Sequence, residues 1–148
     1  RVWTMDVEIR VEPELRGVKV VIHAPARTAE VEALAERLAA EGPILGFREQ
    51  EAVPLASEDI LRFYGEDKEV RAQTAAGVYT VRFRLYELEE RLPKGQFVRV
   101  SHSEIVNLRQ VMGLDLSLTG TIRMTLRGGI ACYVSRRYVK KIKEALGL

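Results

Sequence analysis

Two stretches of the chain combine residue types that suit contact with phosphates and nucleic-acid bases. In the first, FVRVSHSEIVNL, an apolar strand pattern at positions 97–100 ends in the polar run Ser101-His102-Ser103. In the second, VSRRYVKKI, basic residues crowd positions 136–141. Arginine carries a planar fork of donors that matches a phosphate or the edge of guanine. We interpret the two stretches as one nucleic-acid-binding surface.

Arg136 and Arg137 stand at the predicted start of the last helix, which Ser135 can cap with its side chain. The partial positive charge of a helix amino terminus disfavours cations, so another interaction should compensate. A phosphate would do so, because the free amides of that turn also favour anions. The alternative is that both arginines pair with surface carboxylates, but few acidic residues lie nearby in the sequence.

Other candidate contacts are weaker when each is taken alone. Lys140 and Lys141 could hold phosphates, or they could simply form the solvated face of a basic helix. His102 could donate to a base or a phosphate, although a lone surface histidine more often has no such role. Asn107 could bond adenine, but an asparagine after Ile-Val also suits a cap or a turn, and we favour that structural role.

The net charge of +2 conceals an asymmetry along the chain. Residues 1–90 hold 12 basic and 18 acidic residues, a net of −6, whereas residues 91–148 hold 11 and 3, a net of +8. A basic half attracts polyanions and an acidic half repels them. The split favours a nucleic-acid-binding half joined to an acidic half.

Length and composition predict a folded protein of the cytoplasm. With 148 residues and 47% hydrophobic content, the chain can bury one good core. The single cysteine, Cys132, excludes an internal disulfide framework, and its alternation with Ile130 and Val134 predicts that it faces the core. No apolar run reaches the roughly 20 residues of a membrane helix. Phosphate-loop, dinucleotide, zinc-protease and nucleophile-elbow motifs are absent, so we expect no enzyme, cofactor or metal.

The first 43 residues predict a small β-β-α segment. Alternation of Val7, Ile9 and Val11 with charged residues indicates a half-buried strand, and a second strand is expected at 18–23. Thr28 is a plausible cap for a helix that Gly42-Pro43 ends, and we place the domain boundary there. Arg1 to Thr4 are set aside as possible extraneous sequence.

Residues 44–148 predict a second domain that is mostly antiparallel β with short helices. A helix is expected at 84–92, Gly128-Gly129 indicates a two-residue hairpin, and the chain ends in a helix. The expected strands are Ile44 to Arg48, Ala52 to Leu55, Ile60 to Tyr64, Val70 to Thr74, Val78 to Phe83, Phe97 to Val100, Val111 to Leu118, Thr121 to Arg127 and Ile130 to Val134.

From about Val53 to Leu146 the chain resembles the LytTR family of bacterial DNA-binding domains. VPLASEDILRFYGEDKEVRAQT is similar to the opening strands of that family, RLYELEERLPKGQFVRVSHSEIVNL to its helix and signature strand-loop, and YVSRRYVKKIKEAL to its closing strand and helix. The resemblance implies an α+β fold of elongated antiparallel sheets. It also implies a transcriptional regulator that inserts loops into successive major grooves at direct repeats, often bending double-stranded DNA.

The resemblance also implies roles for particular residues. His102 takes the place of the loop residue that reads bases, Arg137 that of the arginine before the last helix, and Lys68 and Arg71 belong to a third contact region. With the basic and polar residues noted above, the candidate DNA contacts are His102, Arg137, Arg136, Ser101, Ser103, Lys68, Arg71, Asn107, Lys140 and Lys141.

The segment before Val53 is too short for the receiver domain that usually precedes a LytTR domain. The chain therefore resembles the stand-alone LytTR regulators, and we expect the acidic prefix to form a homodimer or to meet a regulatory protein. The competing hypothesis is a protein-interaction or ligand-sensing module whose basic half binds an acidic partner. RNA binding ranks third, because few aromatic residues are available to stack on bases.

Overall fold

The computed structural model describes residues 4–15, 18–40 and 43–148 of the chain. The chain divides into two compact units, Arg1–Glu36 and Arg37–Leu148. Gly42 of the predicted boundary, and all but Thr4 of the residues set aside as possible extraneous sequence, lie outside the described residues. The boundary at Gly42-Pro43 therefore stays a prediction.

The prefix contains the predicted helix but not the two predicted strands. Helix α1 spans Ala29–Ala40, and the Thr28 hydroxyl accepts a hydrogen bond from the Val31 amide at 3.3 Å, as a cap should. Within 4–15 and 18–28 no strand forms, and Val7, Ile9 and Val11 are 81–87% exposed. The strand prediction was wrong for the single chain. Alternating apolar and charged residues indicate which face of a strand would be buried, but a strand also needs a neighbouring strand to make its backbone hydrogen bonds.

Seven strands form one antiparallel sheet. The predicted antiparallel β fold is confirmed, although a strand at 104–107 was not expected. The strands are β1 Ile44–Arg48, β2 Glu51–Leu55, β3 Ile60–Glu66, β4 Glu69–Thr74, β5 Gly77–Val81, β6 Phe97–Ser101 and β7 Glu104–Asn107. Their spatial order is β2-β1-β5-β4-β3-β7-β6, and helix α2, Leu85–Arg91, links β5 to β6. Every neighbouring pair runs antiparallel.

A second sheet holds strands β8 Val111–Asp115, β9 Ile122–Leu126 and β10 Ile130–Val134, in the order β10-β9-β8, and helix α3, Val139–Leu146, follows it. The β9–β10 connection is a three-residue 3₁₀ turn, Arg127–Gly129, rather than the predicted two-residue hairpin. Gly128 and Gly129 have φ values of 82° and 78°. These left-handed conformations suit glycine, which lacks the Cβ that would clash.

Two apolar clusters hold these elements together. One lies between α2 and the seven-stranded sheet, and Phe63, Leu88 and Ile105 are at its centre. The other joins β6 and β7 to the three-stranded sheet and to α3, whose Ile142 is fully buried. Strand β9 contributes alternate residues to this second cluster, as its sequence pattern predicts, and the predicted burial of Cys132 is confirmed. Its members are Leu61, Val98, Val100, Val106, Ile122, Met124, Leu126, Cys132, Val134 and Ile142.

Candidate nucleic-acid interface

Two hairpin tips lie side by side at one end of the seven-stranded sheet. The β6–β7 hairpin turns at His102-Ser103, and the β3–β4 hairpin turns at Asp67-Lys68. Because β3 pairs antiparallel with β7, with Tyr64 opposite Glu104, both turns fall at the same end. The Gly65 amide donates to the Ser103 carbonyl at 2.9 Å, which fixes one tip against the other.

A third segment reaches this end from the other sheet. After β10, the Ser135 amide donates a hydrogen bond to the Val100 carbonyl at 2.8 Å, next to the end of β6. Arg136–Tyr138 then form a 3₁₀ turn before α3 begins. We call the tips Asp67-Lys68 and His102-Ser103, together with the turn Arg136–Tyr138, the recognition edge. It brings together three of the predicted contact regions.

The predicted cap on the last helix is corrected by the structure. The Ser135 side chain makes no capping hydrogen bond, and α3 starts at Val139, so Arg136 and Arg137 precede the helix instead of occupying its first turn. The Ser135 carbonyl instead accepts from the Tyr138 amide at 2.8 Å, which closes the 3₁₀ turn. The arginines are thus positioned by a tight turn tied to β6.

Basic side chains of this region are exposed and unneutralised. Arg136, Arg137, Lys140 and Lys141 are exposed, and none forms an ion pair with a carboxylate within the described ranges. The alternative that both arginines pair with surface carboxylates therefore lacks support. The Arg136 guanidinium lies against Gly120, where a Cβ would approach Nη2 to 3.1 Å, and the φ of Gly120 is 77°. Any other residue at position 120 would disturb Arg136.

The His102 turn is held from inside by its neighbours. His102 and Ser103 are exposed, whereas Ser101 is half-buried and its hydroxyl accepts from the Ser103 amide at 3.2 Å. Arg99, which the sequence reading did not select, donates to the Ser101 carbonyl at 2.9 Å. The only signal for Arg99 in the sequence is its position within the apolar strand pattern that leads into the polar turn. Ser101 thus has a contact that shapes the turn, and His102 is the side chain presented outward.

The β3–β4 tip offers one exposed cation among acidic residues. Lys68 is exposed, and Asp67 and Lys68 have φ values of 52° and 64°, a left-handed pair typical of a tight hairpin turn. Arg71 is half-buried, 3.1 Å from the Glu66 carboxylate and 3.8 Å from that of Glu69. The hairpin itself neutralises Arg71, so Lys68 is the better candidate contact of the two.

Asn107 is not available to DNA, so its place among the candidate contacts was wrong. It is fully buried, and its amide nitrogen donates to the Ile60 carbonyl at 2.8 Å and to the Ser57 carbonyl at 3.2 Å. Its amide oxygen accepts from the Arg109 backbone at 3.0 Å. The asparagine caps a 3₁₀ turn and ties β7 to the start of β3, the structural role that the sequence favoured.

A polar network joins the two sheets behind the recognition edge. Arg62 on β3 donates to the Glu104 carboxylate at 2.7 Å and to the Gln73 side chain at 2.7 Å. The Cys132 thiol on β10 donates to the same Glu104 oxygen at 3.0 Å. Glu104 directly follows the His102 turn, so the network anchors the base of that turn.

The pKa values of Cys132 and Arg62 in this network are both raised. Burial, together with the hydrogen bond to Glu104, raises the pKa of Cys132 from its ordinary value of 9.0 to about 12. Burial alone would lower the pKa of Arg62, but its hydrogen bond to Glu104 and the negative charge there outweigh burial and raise it. The thiol therefore stays protonated and is a poor nucleophile at neutral pH.

No helix among residues 4–15, 18–40 and 43–148 is long and apolar enough to cross a membrane. In the same part of the chain, no three His, Cys, Asp or Glu side chains cluster in a way that could hold a metal ion.

Comparison with known proteins gives consistent matches. Residues 50–147 match the family described as the LytTr DNA-binding domain. The chain is 36% identical over 130 residues to uncharacterized HTH-type transcriptional regulators of Staphylococcus aureus strains NCTC 8325 and COL, with 86% of this chain and 88% of each relative covered. A solved LytTr DNA-binding domain from Bacillus cereus superposes with a TM-score of 0.70 at 21% identity, covering 72% of this chain and 98% of that domain.

Proposed function

Since this chain belongs to the LytTr DNA-binding domain family and is a DNA-binding transcriptional regulator, we propose that its recognition edge reads bases in the major groove of duplex DNA. The observation that carries the proposal is the attachment of Ser135 to Val100. That hydrogen bond places Arg137 at the same end of the fold as His102, although the two residues are 35 positions apart in the sequence. Loops from two sheets can then meet one stretch of DNA.

We assign different contacts to the two kinds of side chain at the edge. His102 and Arg137 reach base edges, because imidazole and guanidinium donors can match guanine acceptors in the major groove. Ser103, Lys68, Arg136, Lys140 and Lys141 contact phosphates, which sets the register of the protein on the duplex. Arg71 stays with its own hairpin carboxylates.

Reading by loops also fits the order of the elements. Five strands separate α1 from α2, and another five separate α2 from α3. In the part of the chain that the structure describes, no two helices follow each other directly, so no helix-turn-helix is formed there. The hairpin tips and the 3₁₀ turn are the elements that present cations outward, and we assign DNA recognition to them.

Selection from a random duplex pool tests this function. A repeated motif should emerge. Its affinity should fall with salt at a log–log slope of about −3 to −4 for each protomer, since each of the four cations assigned to phosphates releases about 0.9 counterion. Fluorescence anisotropy on the selected sequences measures both. A pool that stayed random, with weak binding and little salt dependence, would overturn the proposal and favour an acidic protein partner for the basic half.

We further propose that the protein binds direct repeats in the cytoplasm as a homodimer built by the prefix. Val7, Ile9 and Val11 form an alternating apolar row that no strand covers in the described residues. A second copy could supply the missing strand neighbour. The prefix as a whole, with 8 acidic and 6 basic residues in positions 1–43, would be disfavoured near DNA by its net negative charge.

Ile9→Lys should therefore disrupt the dimer. The charge lies in the middle of the apolar row, and pairing would bury it at high cost. Sedimentation velocity should detect monomers, and affinity for a two-repeat duplex should fall about 100-fold through lost avidity, with half-site affinity unchanged. Glu8→Lys, on the opposite side of the alternation, is the matched control. If Ile9→Lys stayed dimeric, or if only a second protein completed the complex, prefix dimerisation would be refuted.

A further inference from the structure

All three nitrogens of the Arg99 guanidinium donate hydrogen bonds within the protein. On β6, its Nε donates to the Ser101 carbonyl at 2.9 Å and its Nη2 donates to the His102 carbonyl at 2.5 Å. Its Nη1 donates to the Glu89 carboxylate on α2 at 2.9 Å. The side chain is 12% exposed. With these donors engaged, Arg99 is a poor candidate for a DNA contact.

The backbone around the turn needs such a donor. The β6–β7 ladder pairs Arg99 with Ile105 but Ser101 with Glu104, so the register shifts by one residue at Val100. The Val100 carbonyl accepts a hydrogen bond from the amide of Ser135, which follows the last strand of the other sheet. Next to this irregularity, the carbonyls of Ser101 and His102 accept their hydrogen bonds from the Arg99 guanidinium. Ser101 is half-buried, and a half-buried carbonyl without a donor would be costly.

We propose that Arg99 is a positioning residue that sets the direction of the His102 side chain, with Glu89 holding Arg99 in place. This rests on the proposed function, in which His102 reads a base. One rigid, planar group bonded to two successive carbonyls fixes two peptide planes, and the bond vector from Cα to Cβ of His102 follows from them. Bonds with a charged donor are roughly twice as strong as neutral ones. The turn is thereby ordered before DNA arrives, which lowers the entropy lost on binding.

Arg99→Lys should lower the ratio of selected-sequence to random-sequence affinity about tenfold, because lysine can bond only part of this set and cannot match the planar fork. Random-sequence affinity and the salt slope should change little, since the phosphate contacts remain. Amide hydrogen exchange at His102, Ser103 and Glu104 should accelerate. Glu89→Ala should give a smaller loss of the same kind, and Glu89→Gln, which keeps an acceptor, should recover part of it.

Two comparisons separate positioning from a general loss of stability. In a His102→Ala background, Arg99→Lys should cost little additional specificity, because the side chain that it directs is gone. Glu90→Ala, at the exposed neighbour of Glu89 on α2, should leave both readouts unchanged. If Arg99→Lys does not fold, Glu89→Ala carries the test.

The outcomes distinguish this inference from the function that it rests on. If His102→Ala left the selected motif unchanged, base reading by His102 would be refuted, whereas the hydrogen-exchange result would still report on Arg99. If His102→Ala relaxed the motif but Arg99→Lys cost its full loss in both backgrounds, or left exchange of the turn unchanged, positioning by Arg99 would be refuted.

Discussion

Arg137→Ala is expected to cost about 1 to 3 kcal/mol of binding to the selected sequence and to relax the preference at one or two base pairs. The side chain is exposed and forms no ion pair within the described residues, so its removal should leave the fold intact. The loss comes from the bidentate pairing with a base that alanine cannot make. Fluorescence anisotropy with single-base variants of the selected duplex, at fixed salt, measures both effects.

Two variants serve as controls for Arg137→Ala. Lys141→Ala should weaken binding to all sequences alike and reduce the salt slope by about one, as expected for a phosphate contact. Arg109→Ala should change nothing. Arg109 is also exposed and also in a 3₁₀ turn, but it follows the far end of β7. Equal losses from Arg137→Ala and Arg109→Ala, or an unchanged base preference, would contradict the assignment.

Asn107→Ala is expected to lower the free energy of unfolding by about 3 kcal/mol, the largest effect on stability that we predict. The change removes the donor of two backbone carbonyls, those of Ser57 and Ile60, and the acceptor of one amide, all at a fully buried position. Urea denaturation followed by circular dichroism measures the loss. DNA affinity per folded molecule should stay the same.

Gln110→Ala is the matched control for this change. Gln110 is also an amide side chain, at the end of the 3₁₀ turn Leu108–Gln110, and it donates one hydrogen bond, to the Glu58 carbonyl, from a more exposed position. Its loss should therefore be about 1 kcal/mol or less. If Asn107→Ala cost no more than Gln110→Ala, or if it abolished DNA binding in folded protein, the structural role of Asn107 would be refuted.

The fold was largely predictable wherever local signals carry the information. Alternation placed β1 at Ile44–Arg48 and β10 at Ile130–Val134 with their observed ends, and the LytTR resemblance agrees with the family and the fold found by comparison. The predictions of two strands in the prefix were wrong, because the alternating pattern at Val7 to Val11 does not show which strand, if any, would pair with it. The start of α3 was missed because Ser135 bonds to Val100 through its backbone, a contact across 35 positions.

The exposed residues of the candidate site could be predicted from the sequence, but the buried and half-buried residues that hold them in place could not. The basic cluster and the polar turn could be recognised from residue types, since exposed cations without nearby carboxylates are visible in the sequence. The sequence did not indicate the roles of Arg99 or of the Arg62–Glu104–Cys132 network, because these residues bond to partners up to 70 positions away. For Asn107 the sequence favoured a structural role, but it could not identify the three backbone groups to which the side chain bonds, two of which lie about 50 residues away.

The acidic β3–β4 tip has a consequence for the time that the protein spends on the wrong DNA. Glu66, Asp67 and Glu69 surround Lys68 at the recognition edge, and Arg71 offsets only part of their charge. Away from an operator, attraction comes only from phosphates, which these carboxylates repel. If the recognition edge meets DNA as proposed, we expect each nonspecific encounter to be shorter. We therefore expect the acidic tip to shorten the time spent on random sequence and to speed the search for an operator.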